Sequence, residues 1–317
     1  MSPTPLPRTR ARELHDAVRA TFVDAGCSGW VHALTLAPSP TSFDFDADTP
    51  VVLASVYKLP LMISLCRMTD HQRIDLRESV TVDPTAQATG TTGLAALHDP
   101  VTISWRDLAT SMMTVSDNAA ADVILDRVGL DTVLADLDDL GLDNTRIVGG
   151  MAELHARLRA ETGTTTVDEA FAVLADPDRD EAVTAYDAAY SSASTPRDCT
   201  ALLDAVWSDR AASPVSCAFI RATMRKQVFT SRLASGFAVR GARVAGKTGT
   251  LAAVRNEIGV VEFSGEYPVA VAVFTKSART EMRLPVVDRA IGEVARLVVT
   301  RLRRPLDAAD TADELGR

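Results

Sequence analysis

The amino-acid sequence predicts an α/β (α+β) fold in which an antiparallel sheet is flanked by helices and carries an inserted all-helical lobe. Runs of apolar and β-branched residues typical of strands are concentrated near the two ends of the chain, at 30–45 and 242–274. Between them, residues 56 to about 225 repeat apolar side chains at the i, i+3, i+4 spacing of buried helices. A sheet built from both ends of the chain therefore encloses a helical insertion.

This pattern sets the domain boundaries that we expect. Residues 1–55 and 226–302 form a discontinuous α/β lobe, and helices from about 195–225 pack near it. Residues 56–225 form the helical lobe. The acidic, alanine-rich end of the segment 303–317 predicts a disordered tail.

The α/β lobe is expected to begin with a helix and two strands. An apolar stripe among charged neighbours predicts an amphipathic helix over residues 8–25. Residues 30–36 and 41–45 are predicted to be paired strands, and Pro38 and Pro40 mark the turn between them.

The end of the chain predicts the rest of this lobe. Residues 242–249, 254–263 and 267–274 read as three antiparallel strands, the last two joined by a tight hairpin at 264–266. Residues 285–302 then form an amphipathic closing helix.

In the helical lobe, capping residues and glycines mark where helices begin and end. A brief strand is expected at 80–82, followed by a Gly/Thr-rich loop at 84–100. We predict helices after Ser55, after Ser104, from Ser116 or Asp117, over 130–140, within 150–190, and from Thr195 with Pro196 at its first position.

Composition restricts the function classes. At 317 residues and 46% hydrophobic, the chain can bury a large core. Its net charge of −9, with both signs mixed along the chain, argues against a nucleic-acid or membrane surface, and we expect a monomer that acts on a small molecule. The N-terminus has no apolar signal-peptide region, so a cytoplasmic location is predicted unless an export element is missing from the sequence.

Cysteine and histidine give no framework for a disulfide or a metal. The four cysteines are widely and irregularly spaced, which is typical of buried reduced thiols, and the five histidines are scattered without metal-ligand spacing. We therefore expect no metal and no cofactor. A Ser-His-Asp hydrolase is also unsupported, because no Gly-x-Ser-x-Gly elbow occurs.

Ser55 and Lys58 are the first candidate catalytic pair. They stand three residues apart at the start of a predicted buried helix, so both side chains lie on one face and the ammonium can approach the hydroxyl. The helix start also supplies a free backbone N–H for an oxyanion. Alone, this pair is more often an N-cap with a solvated lysine.

Two further motifs change that interpretation. Ser116-Asp117-Asn118 begins one helix, and Lys247-Thr248-Gly249-Thr250 closes an apolar run. Each alone would be an ordinary N-cap cluster or strand end. The three motifs in this order are the signature of class A β-lactamases and penicillin-binding proteins. From about residue 10 to residue 302, the chain resembles the class A β-lactamase-like serine hydrolases.

The resemblance implies an acyl-enzyme mechanism. Ser55 would attack a carbonyl and Lys58 would accept its proton. Backbone N–H groups of Ser55 and Thr250 would form the oxyanion hole, and Ser116 would relay a proton to the leaving nitrogen.

The resemblance also implies a site for a substrate that carries a carboxylate. Asn118 would bind the substrate's amide side chain and Lys58. Lys247 and Thr248, followed by Gly249, would hold the carboxylate, with Arg255 on the next strand as a second anchor.

One part of the family pattern is missing. Class A β-lactamases carry Glu-x-x-Leu-Asn between the second motif and the helix that begins with Thr-Pro, and that glutamate activates the deacylating water. Glu153, Glu161, Glu169 and Glu181 lie in this interval, but none begins such a motif. The interval also reads as helix, where the family has an irregular loop. We therefore expect acylation with slow turnover of β-lactams.

Three functions remain open. The first is hydrolysis of a cyclic amide of the β-lactam type. The second uses the same nucleophile on an ester, a lactone or a D-amino-acid peptide. The third is a sensor or binding domain that is acylated but does not turn over.

Overall fold

The computed structural model describes residues 3–5, 8–176, 183–281 and 283–306. Its centre is a six-stranded sheet with the order β1-β3-β2-β10-β9-β8. The strands of this sheet are β1 (Thr4–Pro5), β2 (Cys27–Thr35), β3 (Thr41–Phe45), β8 (Ala242–Thr250), β9 (Val254–Phe263) and β10 (Val269–Ser277). All neighbours pair antiparallel except the short β1, which runs parallel to β3.

Two small antiparallel pairs lie outside this sheet. They are formed by β4 (Val51–Val52) with β7 (Ala193–Ser194), and by β5 (Ser79–Val82) with β6 (Val101–Ser104). The α-helices are α1 (Arg8–Asp24), α2 (Lys58–Asp70), α3 (Trp105–Thr114), α4 (Asn118–Val128), α5 (Leu130–Asp139), α6 (Met151–Thr162), α7 (Val167–Leu174), α8 (Pro196–Trp207), α9 (Pro214–Met224) and α10 (Pro285–Leu302).

The two faces of the sheet bury separate cores. On one face, α1 and α10 pack their apolar stripes against β2, β3 and β10. On the other face, α8 lies against β2, β9 and β10, and the core continues through α2 into the helical region. Alternation along the strands produces this division, since Ile258 and Val260 face the helical region while Val261 faces α10.

Most predicted elements are present, with shifts at their ends. The predicted pairing of 30–36 with 41–45 is confirmed by β2 and β3. The segment 150–190 does not form continuous helix: α6 ends at Gly163, whose φ of +68° suits glycine, and α7 follows. Of the predicted tail, 303–306 is fixed to the sheet through an Arg304 carbonyl that accepts from the Tyr267 N–H, and 307–317 lies outside the described residues.

The four cysteines are free thiols. Cys66, Cys199 and Cys217 are buried as predicted, whereas Cys27 is half-buried at the start of β2. No helix in the described part of the chain is both long and apolar enough to span a bilayer.

Candidate active site

Ser55 lies on a 3₁₀ turn, Ala54–Tyr57, directly before α2, and not in the first turn of an α-helix as predicted. The Lys58 N–H donates to the Ser55 carbonyl, which closes an i to i+3 turn, and side chains three apart eclipse in a 3₁₀ helix. Ala54 has φ +47°, an uncommon conformation for a residue with a Cβ. The nucleophile candidate therefore sits on a tightly constrained turn.

Lys58 is completely buried and points into a set of oxygen acceptors. Its Nζ donates to the Ser116 carbonyl (2.7 Å), to Ser116 Oγ (3.3 Å) and to Asn118 Oδ1 (2.8 Å). The Lys58–Asn118 hydrogen bond was predicted from the sequence. Ser55 Oγ is not among the acceptors that the described residues offer to Nζ, so the predicted approach of these two groups is not a hydrogen bond in the free protein. Such contacts often shorten only when substrate binds.

Ser116 joins the two lysines of the site. Lys247 Nζ donates to Ser116 Oγ (3.0 Å) and to the Thr248 carbonyl (2.8 Å), and Lys247 is also fully buried. Because Lys58 and Lys247 both donate to Ser116 Oγ, the hydroxyl proton of Ser116 has to point elsewhere. Ser116 has φ +58°, which only a well-packed site maintains in a serine.

The backbone of β8 presents the next group of candidate residues. β8 is an edge strand, and the Thr248 N–H points away from β9 and donates to Gln227 Oε1 (2.8 Å). Backbone groups alternate in an antiparallel strand, so the Thr250 N–H two residues later also points to the free edge. Gly249 lies against the Ser55 turn, since a Cβ there would be 2.4 Å from the Leu53 carbonyl. The free edge of β8 thus lies beside the nucleophile.

Arg255 is not part of this cluster. Its guanidinium is almost fully buried and donates to backbone carbonyls at the β8–β9 turn, Leu251, Ala252 and Val254, and to the Glu281 carbonyl. These carbonyls occupy its Nη1 and Nη2 groups at the β8–β9 turn. These contacts do not support the role of Arg255 as a second anchor for a substrate carboxylate, and that role stays a prediction.

Arg232 places its guanidinium against Thr250, at the edge of β8. Its Nη2 donates to Thr250 Oγ1 (2.8 Å) and its Nη1 to the Gly249 carbonyl (2.9 Å), while Nε pairs with Asp288 (2.7 Å). Arg232 follows α9 in an irregular segment without a motif, so no sequence signal marks it.

Burial controls the charge of the two lysines. Burial lowers the pKa of Lys58 to about 7, against the opposing effect of Asp117 and Asp122. Burial and the positive charge of Lys58 hold the pKa of Lys247 well below its usual range, and Glu257 opposes them. A neutral Lys58 is accessible near neutral pH and can accept a proton.

Asp117, the middle residue of the second motif, has a structural role. It is fully buried and accepts from the Leu94 N–H (2.6 Å), from Ser111 Oγ (2.7 Å) and from the Ala120 N–H (3.2 Å). These contacts fix the 84–100 loop to the start of α4, beside Asn118.

The glutamates of the interval 150–190 are held by backbone groups. Glu181 lies outside the described residues. The other three accept hydrogen bonds from nearby amides: Glu153 from Gly150, Glu161 from Thr184, and Glu169 from Thr165 and Thr166. Glu153 also borders a cavity of about 30 Å³ with Ala54, Tyr57 and Leu251. The buried Tyr57 hydroxyl has no hydrogen-bond partner among the described residues, and the cavity is large enough for a water molecule.

Comparison with known proteins identifies the family of this chain. A family model described as "Beta-lactamase enzyme family" matches residues 12–302. The chain is 30% identical over 273 residues to the β-lactamase regulatory protein BlaB of Streptomyces cacaoi, covering 81% of this chain and 88% of that protein.

Solved structures with the same fold include a β-lactamase from Sphaerobacter thermophilus (24% identity, TM-score 0.73, covering 94% of this chain and 98% of that one). PBP-A (21% identity, TM-score 0.74, 95% and 98%) and the TLA-3 extended-spectrum β-lactamase (20% identity, TM-score 0.76, 92% and 99%) are also similar. Since the family model spans nearly the whole chain, this protein belongs to the β-lactamase enzyme family, with the fold of the class A enzymes and penicillin-binding proteins.

Proposed function

We propose that the protein is a serine hydrolase that forms an acyl-enzyme through Ser55, with a cyclic amide of the β-lactam type as its substrate. The observation that carries the proposal is the buried chain Lys58–Ser116–Lys247 beside the Ser55 turn and the free edge of β8. This arrangement combines a nucleophile, a base of lowered pKa and a proton donor in one cleft.

Acylation follows from these positions. Neutral Lys58 takes the Ser55 proton as Ser55 Oγ attacks the carbonyl, and the oxyanion is received by the N–H groups of Ser55 and Thr250. An oxyanion donor of this kind contributes about 3 to 4 kcal/mol to the transition state. Ser116, whose oxygen already accepts from both lysines, gives its proton to the leaving nitrogen and takes one from the Lys58 ammonium, which returns Lys58 to its neutral form.

The substrate carboxylate is assigned to Lys247, Thr248 and Arg232. These residues surround the edge of β8 next to Thr250, and Arg232 offers a planar guanidinium there. Asn118, held by Lys58, is left to bind the amide side chain of the acyl group.

A second candidate function is a sensor that is acylated without turnover. It is favoured by the similarity to a protein described as a β-lactamase regulatory protein and by the backbone contacts that occupy Glu153, Glu161 and Glu169. Both functions share acylation of Ser55 and differ only in the fate of the ester.

Time-resolved intact-protein mass spectrometry tests both. A penicillin, a cephalosporin and an activated ester should each add one acyl group to the wild-type chain. Ser55→Ala should remove this labelling and change the free energy of unfolding by less than about 1 kcal/mol, because the half-exposed serine makes few packing contacts. Labelling that persists in Ser55→Ala would exclude Ser55 as the nucleophile.

A further inference from the structure

A buried carboxylate that the acylation chemistry does not use lies under the edge of β8. Glu257 is on β9, opposite Thr248 in register, and only 1% of its surface is exposed. Its Oε1 accepts from Gln227 Nε2 (2.7 Å) and its Oε2 accepts from the Leu233 N–H (2.8 Å). A Cβ added to Gly246 would lie 2.5 Å from Oε1, so the carboxylate is pressed against the β8 backbone just before Lys247.

These contacts form a hydrogen-bond chain with a fixed direction. The Thr248 N–H donates to Gln227 Oε1, and Gln227 Nε2 donates to Glu257. Since a backbone N–H can only donate, the Gln227 amide has to present its oxygen to Thr248 and its NH₂ to Glu257. That orientation requires an acceptor at residue 257, and Leu233 requires a second acceptor on the same side chain.

These hydrogen bonds lead directly to the residues proposed to bind the substrate carboxylate, Thr248 and Arg232. Thr248 precedes Gly249 and Thr250 on the free edge, and Leu233 follows Arg232, which donates to Thr250. Glu257 also interacts electrostatically with Arg232 and Lys247, and its negative charge partly neutralises these two buried cations. Burial raises the pKa of Glu257 to about 7, so the carboxylate is mainly ionised at about pH 8.

We propose that Glu257 is a positioning residue for the anion-binding edge of the site: it orients Gln227, which holds the Thr248 N–H, and it fixes the segment that carries Arg232. The inference rests on the proposed function for the identity of the ligand, an anionic acyl donor. The hydrogen-bond chain itself can be tested without any substrate.

A swap of the two side chains distinguishes positioning from general stability. In Glu257→Gln, an NH₂ group replaces one of the two carboxylate oxygens. It then faces another donor, either Gln227 Nε2 or the Leu233 N–H, so one hydrogen bond of the Thr248–Gln227–Glu257–Leu233 network is lost. The double variant Glu257→Gln with Gln227→Glu restores every pair, because Glu at 227 accepts from Thr248 and from the new glutamine, whose oxygen accepts from Leu233. Gln227→Ala removes the acceptor of the Thr248 N–H. Because Gln227 is half-exposed, this variant should fold and provides the same test if Glu257→Gln does not fold. Glu262→Gln, on the same strand and paired with Arg225, is the matched control.

Two measurements at about pH 8 test these variants. Hydrogen exchange of the Thr248 amide should accelerate about tenfold or more in Glu257→Gln and Gln227→Ala, and it should return to within about threefold of wild type in the swap. Acylation by a penicillin should fall about tenfold further than acylation by a neutral activated ester in the two single variants, and the swap should restore this ratio. Glu262→Gln should change neither.

Unchanged exchange at Thr248 in the single variants would overturn the proposal, as would a swap that restores neither measurement. An equal loss for the penicillin and the neutral ester would also overturn it, because that is the result of a purely structural role. If the wild-type chain is acylated by neither compound, the proposed function fails, and the exchange measurement alone then decides whether Glu257 positions Thr248.

Discussion

At the residue scale, the role proposed for Lys58 as proton acceptor depends on how completely its side chain is buried. Its ammonium is surrounded by uncharged oxygens of Ser116 and Asn118, with Asp117 and Asp122 as the opposing charges. Burial is the larger effect, so the pKa of Lys58 falls to about 7. A lysine in water would be almost wholly protonated at that pH.

The first prediction is the pH dependence of acylation. The base has to be neutral, and the neutral fraction of Lys58 grows as pH rises through its pKa. The second-order acylation constant for a neutral activated ester should therefore rise through about pH 7 and level off above it. Stopped-flow measurements across this range check it, and Lys58→Arg should abolish acylation because a guanidinium does not lose its proton. A constant that is flat or falls with pH would contradict the role of Lys58.

A second prediction at this scale separates the two arginines. Arg232→Lys should lower acylation by a penicillin about tenfold and leave a neutral ester nearly unchanged, because the planar guanidinium beside Thr250 is lost. Arg255→Lys should instead lower the free energy of unfolding by about 1 to 3 kcal/mol, because buried carbonyls lose their donor. Kinetics and urea unfolding of both variants make the comparison. Selective loss of penicillin acylation in Arg255→Lys would support the prediction made from sequence.

These two arginines show what a single sequence can predict about a site. Ser55, Lys58, Ser116 and Lys247 lie in short motifs because the chemistry needs fixed local spacing on one turn, one helix start and one strand. Arg232 contacts Thr250 because of the conformation of the segment between α9 and β8. The local spacing of residues does not predict that conformation. Arg255 fits the strand pattern equally well whether it faces substrate or backbone.

At the element scale, three elements hold the Ser55 turn from different sides. Gly249 of β8 packs against it, and Asn256 Nδ2 of β9 donates to the Val52 carbonyl just before it (2.8 Å). The start of α4 supplies Ser116 and Asn118 to Lys58. The sequence predicted these elements because their apolar periodicity is regular. It did not predict the break between α6 and α7, since an alanine-rich, charged segment suits helix throughout, and Gly163 alone marks the stop.

The third prediction tests the anchor of the 84–100 loop. Asp117→Asn keeps the size of the side chain but turns an NH₂ group toward amide and hydroxyl donors. The free energy of unfolding should fall by about 2 to 4 kcal/mol, because several buried hydrogen bonds to a charged acceptor are lost. Asp107→Asn is the control: among the described residues this exposed carboxylate accepts from Ser104 Oγ alone, so its replacement should cost less than about 0.5 kcal/mol. Urea denaturation gives both values, and equal losses would argue against Asp117 as the anchor.

At the scale of the whole molecule, the two hydrophobic cores stabilise different parts of the fold. The core under α1 and α10 fixes the sheet, and the core through α2 and α8 fixes the helices that carry Lys58 and Ser116. The candidate site lies where the edge of the sheet meets these helices, so the groups proposed for acylation come from well-packed elements. Met151 belongs to the larger of these cores, whereas a separate small apolar cluster with Ala252 is formed by Leu158, Ala170, Leu174, Val183 and Ala185.

The last prediction concerns the lifetime of the acyl-enzyme. Glu153, Glu161 and Glu169 accept hydrogen bonds from backbone amides, and Asp122 likewise accepts from the Met151 and Ala152 N–H groups. An ester without a dedicated base loses roughly 10² to 10⁴ in its hydrolysis rate. The penicillin adduct on Ser55 should therefore persist, whereas small activated esters, which leave water more room, should turn over faster. Steady-state rates and mass spectra of the adduct give the ester-to-penicillin ratio.

The variant Glu153→Gln tests whether this carboxylate assists hydrolysis of the acyl-enzyme. Glutamine can still accept from the Gly150 N–H, so the start of α6 is kept, but it cannot take a proton from a water in the cavity beside Tyr57. If no carboxylate assists deacylation, the lifetime of the penicillin adduct should be the same in Glu153→Gln and in the wild type, and Glu169→Gln, at the exposed start of α7, should match both. Rapid penicillin hydrolysis without a burst, lost in Glu153→Gln alone, would show instead that the cavity water is the nucleophile and that Glu153 is its base.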